Sequence, residues 1–360
     1  MTATTATHDT DWWRHINSKL GGQIPALYGV RAVAVFLVIL YHFGFDSVNG
    51  ALGVEIFFTL SGFLITWLLL KENDATGTIS FRGFYLRRTL RIFPAMYVYL
   101  LFGLAIHLVR GHQVPWADVV ASTFYLENYH EAIFRTPDNY MGHTWSLAIE
   151  EQFYLLWPLV MYRLRNNLPR LTTVLLAVIM GVWILRVVLH FGFGVYQGYI
   201  YHSFETRMDQ LAMGCLLAVL LKREVLTNVW RFITSRTYLP AIVIAVIAAS
   251  SMLHGSFDYR FAIGYTLEPL LTAILLVQLI VLAETAPWKF FNGVIMGFLG
   301  RISYSLYLYQ QLTLYTARSF TAEYPVALQL AFAIAVTVAF AAFSYYFIEQ
   351  RFRLRSPDHS

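Results

Sequence analysis

Arg31 and His42 stand eleven residues apart in VRAVAVFLVILYHFGF (30–45), a stretch that is otherwise apolar. At ~3.6 residues per turn that interval is almost three turns, so guanidinium and imidazole project from one helical face, roughly 16 Å apart along the axis. Ionisable side chains are costly among hydrocarbon and usually face a protein interior or a water-filled path. A neutral imidazole near pH 7 can take a proton from a hydroxyl. The expectation is general-base chemistry at His42. Arg31 either shares that track or snorkels to the membrane interface.

Four further groupings could carry or support such chemistry. In WSLAIEEQFYLLWP, Glu150 and Glu151 lie side by side within an apolar run. Adjacent helical residues diverge by ~100°, so the two acids cannot serve one point equally. Glu150 shares its face with Ser146 and Tyr154, four residues either way, and that polar stripe could meet His42 or Arg31 across a helix interface. In RRTLRIFP, Arg88 and Arg91 share a face, with Arg87 beside it. They either signal topology or form an anion site suited to bidentate phosphate binding, helped by donors at a helix N-terminus. In GVEIFFTLSGFLI, Gly53 and Gly62 permit close helix approach and Ser61 can bond across it. Glu55 is the odd acid there, either interfacial or part of the site. ETRMDQLAMG sets Arg207 and Asp209 at a helix start, and GRISYSLYLYQQ lines Ser303, Tyr304, Tyr307 and Gln311 along a late span.

Positioning these groups falls to membrane helices. Hydrophobic residues make up 58% of the 360 and charged residues 13%, about half the usual charge of a soluble domain. The chain is therefore an integral membrane protein, all-α and polytopic. Runs long enough to cross the hydrocarbon layer fall near 27–45, 51–70, 92–109, 145–163, 172–190, 206–221, 238–254, 263–283, 293–316 and 325–347. About ten spans place the basic clusters on the cytoplasmic side, with both termini there. The shorter, more polar 116–128 is expected to be re-entrant or interfacial. Residues 1–26 are read as a cytosolic tail, with Trp12 and Trp13 resting in the headgroup layer. Residues 27–350 form the membrane domain and 351–360 a second tail. The net charge of +5 fits basic cytoplasmic loops and calls for no nucleic acid. A lone cysteine, Cys215, excludes an internal disulfide and a multi-cysteine metal site. It suits a small apolar core position, and no metal is expected.

Together these stretches resemble acyltransferase family 3, the membrane O-acyltransferases. The matching pieces are the Arg–His pair of the first span, GVEIFFTLSGFLIT, RRTLRIFP, WSLAIEEQFYLLWP, TRMDQLAMG, GRISYSLYLY and FIE, in order from about 27 to 350. Two positions depart from the pattern: Gln310 stands where relatives often have His, and Arg351 where they often have Pro. Many relatives add an extracytoplasmic hydrolase-like domain, and none is expected in the stretch ending at Ser360. The resemblance implies transfer of an acyl group, commonly acetyl from acetyl-CoA, to a hydroxyl of a saccharide or other acceptor. It also implies a bacterial-type cytoplasmic membrane. Arg31, His42 and Glu150 would be catalytic, with Glu150 orienting His42. Arg88, Arg91, Arg87 and Ser61 would hold the acyl-CoA donor, which threads a central tunnel from the cytoplasm. Glu55, Ser146, Tyr154, Arg207, Asp209 and Tyr304 would support the site. The rivals are a small antibiotic-like acceptor and, from another class, a proton-coupled transporter or exporter. Apolar outer surface could face lipid or a second copy of the chain.

Overall fold

The computed structural model describes residues 2–111, 113–135 and 140–353, and among them every regular element is helical. Helix α1 (Thr2–Gly21) precedes α2 (Pro25–Phe43), α3 (Gly50–Thr76) and α4 (Phe81–Val109). Two eight-residue helices follow, α5 (Trp116–Thr123) and α6 (Glu127–Phe134), then α7 (Trp145–Leu164) and α8 (Leu168–Val187). Short α9 (Gln197–His202) leads to α10 (Met208–Lys222), α11 (Thr227–Ile233) and α12 (Leu239–Met252). The one-turn α13 (Phe257–Tyr259) passes through a π-turn into α14 (Tyr265–Leu282). The chain then runs through α15 (Val294–Arg301), α16 (Ser303–Thr321), α17 (Val326–Ser344) and the short α18 (Gln350–Arg353).

Local chemistry explains the boundaries that matter for the site. Pro25 opens α2 at a position where its missing N–H costs nothing. The helix ends because Gly44 takes φ 108°, a left-handed value that returns its N–H to the Leu40 and Tyr41 carbonyls. His42 thereby sits in the last turn. Ser80 caps α4, its hydroxyl accepting the Gly83 N–H at 3.1 Å. That start lies eleven residues before 92, the first residue of the expected span. Arg88 and Arg91 are therefore carried on the side of a helix, not on its free N-terminal donors.

Helix α3 packs against α2, α10 and α14. Two glycines make its closest contact. A Cβ on Gly62 would lie 1.9 Å from the Leu211 carbonyl oxygen, and one on Gly214 would lie 1.9 Å from that of Thr59. Backbone touches backbone between α3 and α10, the small-residue packing that membrane helices use in place of a hydrophobic drive. Cys215 is fully buried beside this seam, its thiol 3.5 Å from the Gly62 carbonyl.

Among the described residues, six helical stretches are long and apolar enough to cross a membrane: Pro25–Phe43, Gly50–Thr76, Phe81–Val109, Leu168–Gly192, Phe257–Leu282 and Val326–Phe352. The other expected spans differ for separate reasons. Helix α7 carries Glu150 and Glu151, α10 has 15 residues and α12 has 14, and 293–316 breaks at Ile302 between α15 and α16. At ~1.5 Å per residue, a helix of the length of α5 or α6 reaches about 12 Å, so neither crosses. The 116–128 region is thus no span. The N-terminal segment is a helix docked on the bundle. The Trp13 indole donates to Thr227 at 3.1 Å and is 6% exposed, so it rests on protein instead of lipid headgroups. Trp12 reaches Thr234 at 3.4 Å. Residues 354–360 of the expected C-terminal tail lie outside the described residues.

Because no side chain fits between the α3 and α10 backbones, Gly214→Ala should destabilise the protein by at least the ~1–3 kcal/mol typical of overpacking. Thermal unfolding in detergent should register this as a lower midpoint, while the open surface position Gly181→Ala should leave it nearly unchanged.

Candidate active site

A cavity of about 510 Å³ opens between α2, α3, α4, α7 and the α15–α16 break. Five basic side chains line it (Arg31, Lys71, Arg88, Arg91 and Arg301) against three acids, Glu150, Glu151 and Glu349. One charge pattern organises its middle. Arg31 and Arg88 both act electrostatically on Glu150, and Ser61 bonds to it. Arg31 Nε donates to Ser303 Oγ at 2.9 Å, a contact made by the close passage of α15 over α2. A Cβ on Gly300 would lie 2.0 Å from the Tyr28 carbonyl, which is why that passage needs glycine. The Arg88 guanidinium lies over the Tyr154 ring, 3.6 Å from its centroid, and the Tyr154 hydroxyl bonds to Ser61. Stacking of this kind suits guanidinium better than ammonium. Tyr304 lines the cavity too, its hydroxyl held by the Ile92 carbonyl at 2.9 Å.

Away from the basic mouth, Ser146 and Tyr307 share a 2.6 Å hydroxyl bond, and both reach the His143 carbonyl, at 3.4 and 3.0 Å. Burial first, and His42 second, push the His143 imidazole down to about 3. It is therefore neutral near pH 7. Both ring nitrogens face oxygens, Nε2 the Leu308 carbonyl at 3.1 Å and Nδ1 the Gln311 Oε1 at 2.9 Å, and the single N–H serves one of them. His42 is near enough to act on His143 electrostatically, but it does not line the cavity. Its Nδ1 faces the Val38 carbonyl at 3.0 Å. A carbonyl only accepts, so Nδ1 carries the proton and the basic lone pair is on Nε2.

Several expected site residues occupy other positions. Glu150 gathers with Arg31 and Arg88, while His42 Nδ1 meets the Val38 carbonyl. Arg87 is outside the cavity, paired with Glu72 at 3.0 Å. Helical spacing explains this: it sits ~100° from Arg88, on the flank that faces the end of α3. Glu55 is fully buried, 4.0 Å from Arg207, whose guanidinium lies 3.8 Å from the Tyr265 ring centroid. Asp209 faces Arg186, with contacts of 2.8 and 2.7 Å to two guanidinium nitrogens. Glu55, Arg207 and Asp209 thus belong to a neighbouring polar layer and line no part of the cavity. Gln310 is also fully buried outside it, while Gln311 reaches the site through His143.

Two residues escaped sequence reasoning. His143 directly precedes the TWSLAIEE stretch, and its position before an acid-bearing helix was the available signal. Arg186 lies inside the apolar run LLAVIMGVWILRVV, where an unexplained cation should have demanded an acid.

Ionisable groups gathered inside apolar helices around an open cavity define an integral membrane protein. Residues 24–348 match the family model described as an acyltransferase domain, and the chain belongs to that family. Relatives include the "Putative O-acetyltransferase SACOL0978" of Staphylococcus aureus strain COL, 32% identical over 354 residues. The alignment covers 92% of this chain and 57% of that protein. The "Putative peptidoglycan O-acetyltransferase YrhL" of Bacillus subtilis strain 168 is 30% identical, with 92% and 55% covered. The O-acetyltransferase OatA of Staphylococcus aureus strain NCTC 8325 is 30% identical, with 92% and 57% covered. The chain thus spans little more than half the length of these relatives. No solved structure matches it.

Removing one member of a buried ion pair strands the other, at a cost of about 3–5 kcal/mol. Arg186→Met should therefore lower the unfolding midpoint sharply, and the double variant Arg186→Met/Asp209→Leu should recover much of the loss. Melting curves of the two singles and the double measure the coupling.

Proposed function

We propose that the protein is a membrane O-acetyltransferase that moves acetyl from acetyl-CoA to a hydroxyl of a saccharide or glycoconjugate. The observation that carries this reading is the basic cavity on α2, α3, α4 and α7, with Arg31 and Arg88 gathered on Glu150. Arg88 and Arg91 suit the donor's phosphates, since guanidinium binds phosphate bidentately. Arg31, pinned to Ser303, continues the positive track up the same helix that ends with His42. Glu150 keeps the two arginines from repelling each other and holds them in place between donors. Ser61, Ser146 and Tyr304 supply hydroxyls along the wall, with Tyr154 just behind, bonded to Ser61.

In the proposed reaction the acceptor hydroxyl gives its proton to His42 Nε2, and its oxygen attacks the thioester carbonyl. The Val38 carbonyl stabilises the imidazolium, a role that a carboxylate fills in hydrolase triads. The tetrahedral intermediate collapses with cleavage of the C–S bond, and the imidazolium proton goes to the departing thiolate. No net proton is consumed. His143 joins the two regions, because its carbonyl holds Ser146 and Tyr307 at the cavity while its ring lies near His42. The donor enters from the cytoplasm, where both termini lie in this reading, and the acceptor approaches His42 from the opposite face. Relatives named for O-acetyl transfer, one of them for peptidoglycan, support a saccharide acceptor.

Purified protein with labelled acetyl-CoA and glycan acceptors tests the proposal. His42→Ala should lose at least the ~10²–10⁴-fold that general-base help contributes; undiminished turnover would refute the assignment. Arg88→Ala/Arg91→Ala should raise the donor KM by about tenfold or more, given ~1.5–3 kcal/mol per hydrogen bond to a charged group. Arg87→Ala, outside the cavity, should leave that KM within about twofold of wild type.

A further inference from the structure

Asp118, Glu127 and His130 bring two carboxylates and an imidazole together on the α5–α6 hairpin, away from the cavity. His130 Nδ1 lies 3.6 Å from Asp118 Oδ1 and 3.7 Å from Glu127 Oε1. Those separations are too long for hydrogen bonds. Two ligand atoms each about 2.1 Å from one metal, at tetrahedral to trigonal angles, lie about 3.4–3.6 Å apart. Glu127 is 0% exposed, yet its Oε1 has no hydrogen-bond partner, and neither has His130 Nδ1. A fully buried carboxylate oxygen and a ring nitrogen thus lie about the same point, with the Asp118 carboxyl within side-chain hydrogen-bonding reach of Glu127. Two buried carboxylates this close need positive charge between them, a metal ion or a shared proton.

We propose that Asp118, Glu127 and His130 bind a divalent first-row transition metal ion. One nitrogen and two carboxylate oxygens suit zinc, manganese or cobalt better than calcium or magnesium, which favour oxygen alone. The surroundings are those of a built site. Ser122 Oγ donates to Glu127 Oε2 at 3.1 Å, fixing the carboxylate, and shares a 2.9 Å bond with Thr144 Oγ1. The charged side chains acting most on Glu127, Asp118 and Glu131, are both acidic. The His130 side chain, 12% exposed, gives an ion a way in. A second trio, Glu55, His254 and Glu268, has ligand atoms as close together but differs in the decisive respect. Arg207 stands 4.0 Å from Glu55 and supplies positive charge, and His254 Nε2 lies at hydrogen-bond distance, 2.8 Å, from Glu268 Oε1. The role that follows for the ion is architectural. Through Ser122 and Thr144 it ties α5 and α6 to the residue before α7, the helix that carries Glu150.

The test uses the full chain in detergent without a histidine tag, stripped with a chelator and refilled with Zn²⁺ or Co²⁺. After desalting, elemental analysis should find about one ion per chain, and cobalt should give the visible absorption of a low-coordinate nitrogen–oxygen site. The unfolding midpoint should rise with metal. His130→Gln and Glu127→Gln should each abolish retention and the metal-dependent rise, and His254→Gln should preserve both. Refilled wild type that retains no ion would overturn the proposal, leaving a shared proton between the carboxylates. Equal retention by His130→Gln would overturn it as well. The wild-type measurement stands even if a substituted chain fails to fold.

Discussion

Every charge that these apolar helices carry inward must be answered by protein, because lipid cannot answer it. That constraint shapes the interior. Arg186 is answered by Asp209, Arg207 by Glu55 and three aromatic rings, and Arg31 with Arg88 by Glu150. The first two are sealed. The third faces an open volume, and the difference separates structural ionic layers from a place where a ligand can enter. A guanidinium already shared with a carboxylate can exchange that partner for phosphate without ever being left in hydrocarbon.

The glycine contacts determine where these layers meet. Gly62 and Gly214 draw α3 onto α10, and Gly300 draws the α15–α16 break onto α2. The first contact buries the layer of Glu55 and Arg207 next to the cavity. The second delivers Ser303 to Arg31. Small residues far from any chemistry thereby fix the distances on which the charged groups rely.

How much of this was legible in the sequence depended on the type of contact. Arg31, Ser61, Arg88, Arg91, Ser146, Glu150, Tyr154 and Tyr304 were found because each is a polar residue on a definable helical face, and the cavity gathers all but Tyr154 into its wall. Tyr154 stands just behind, stacked on Arg88. Pairings between distant helices were not legible. Asp209 stands two positions from Arg207 in sequence but bonds Arg186, 23 residues away, because helix packing ignores sequence proximity. In the sequence Arg87 lies beside the face of Arg88 and Arg91, but its pairing with Glu72 on α3 was not visible there. The number of crossings was the weakest inference. Hydropathy sees apolar runs and not helix lengths, and α10, within the run expected at 206–221, has 15 residues.

The docked N-terminal helix has a consequence for substrate choice. The Trp67 indole and the Lys71 ammonium donate to the Leu20 and Gly21 carbonyls at 3.2 and 2.8 Å, and Leu20, Gly22 and Gln23 form part of the cavity rim. The entrance is therefore framed on one side by a segment that precedes all of the membrane-crossing stretches. Its sequence is exempt from the apolar demands placed on the bundle, so the aperture can be reshaped over evolution while the machinery beneath it stays constant.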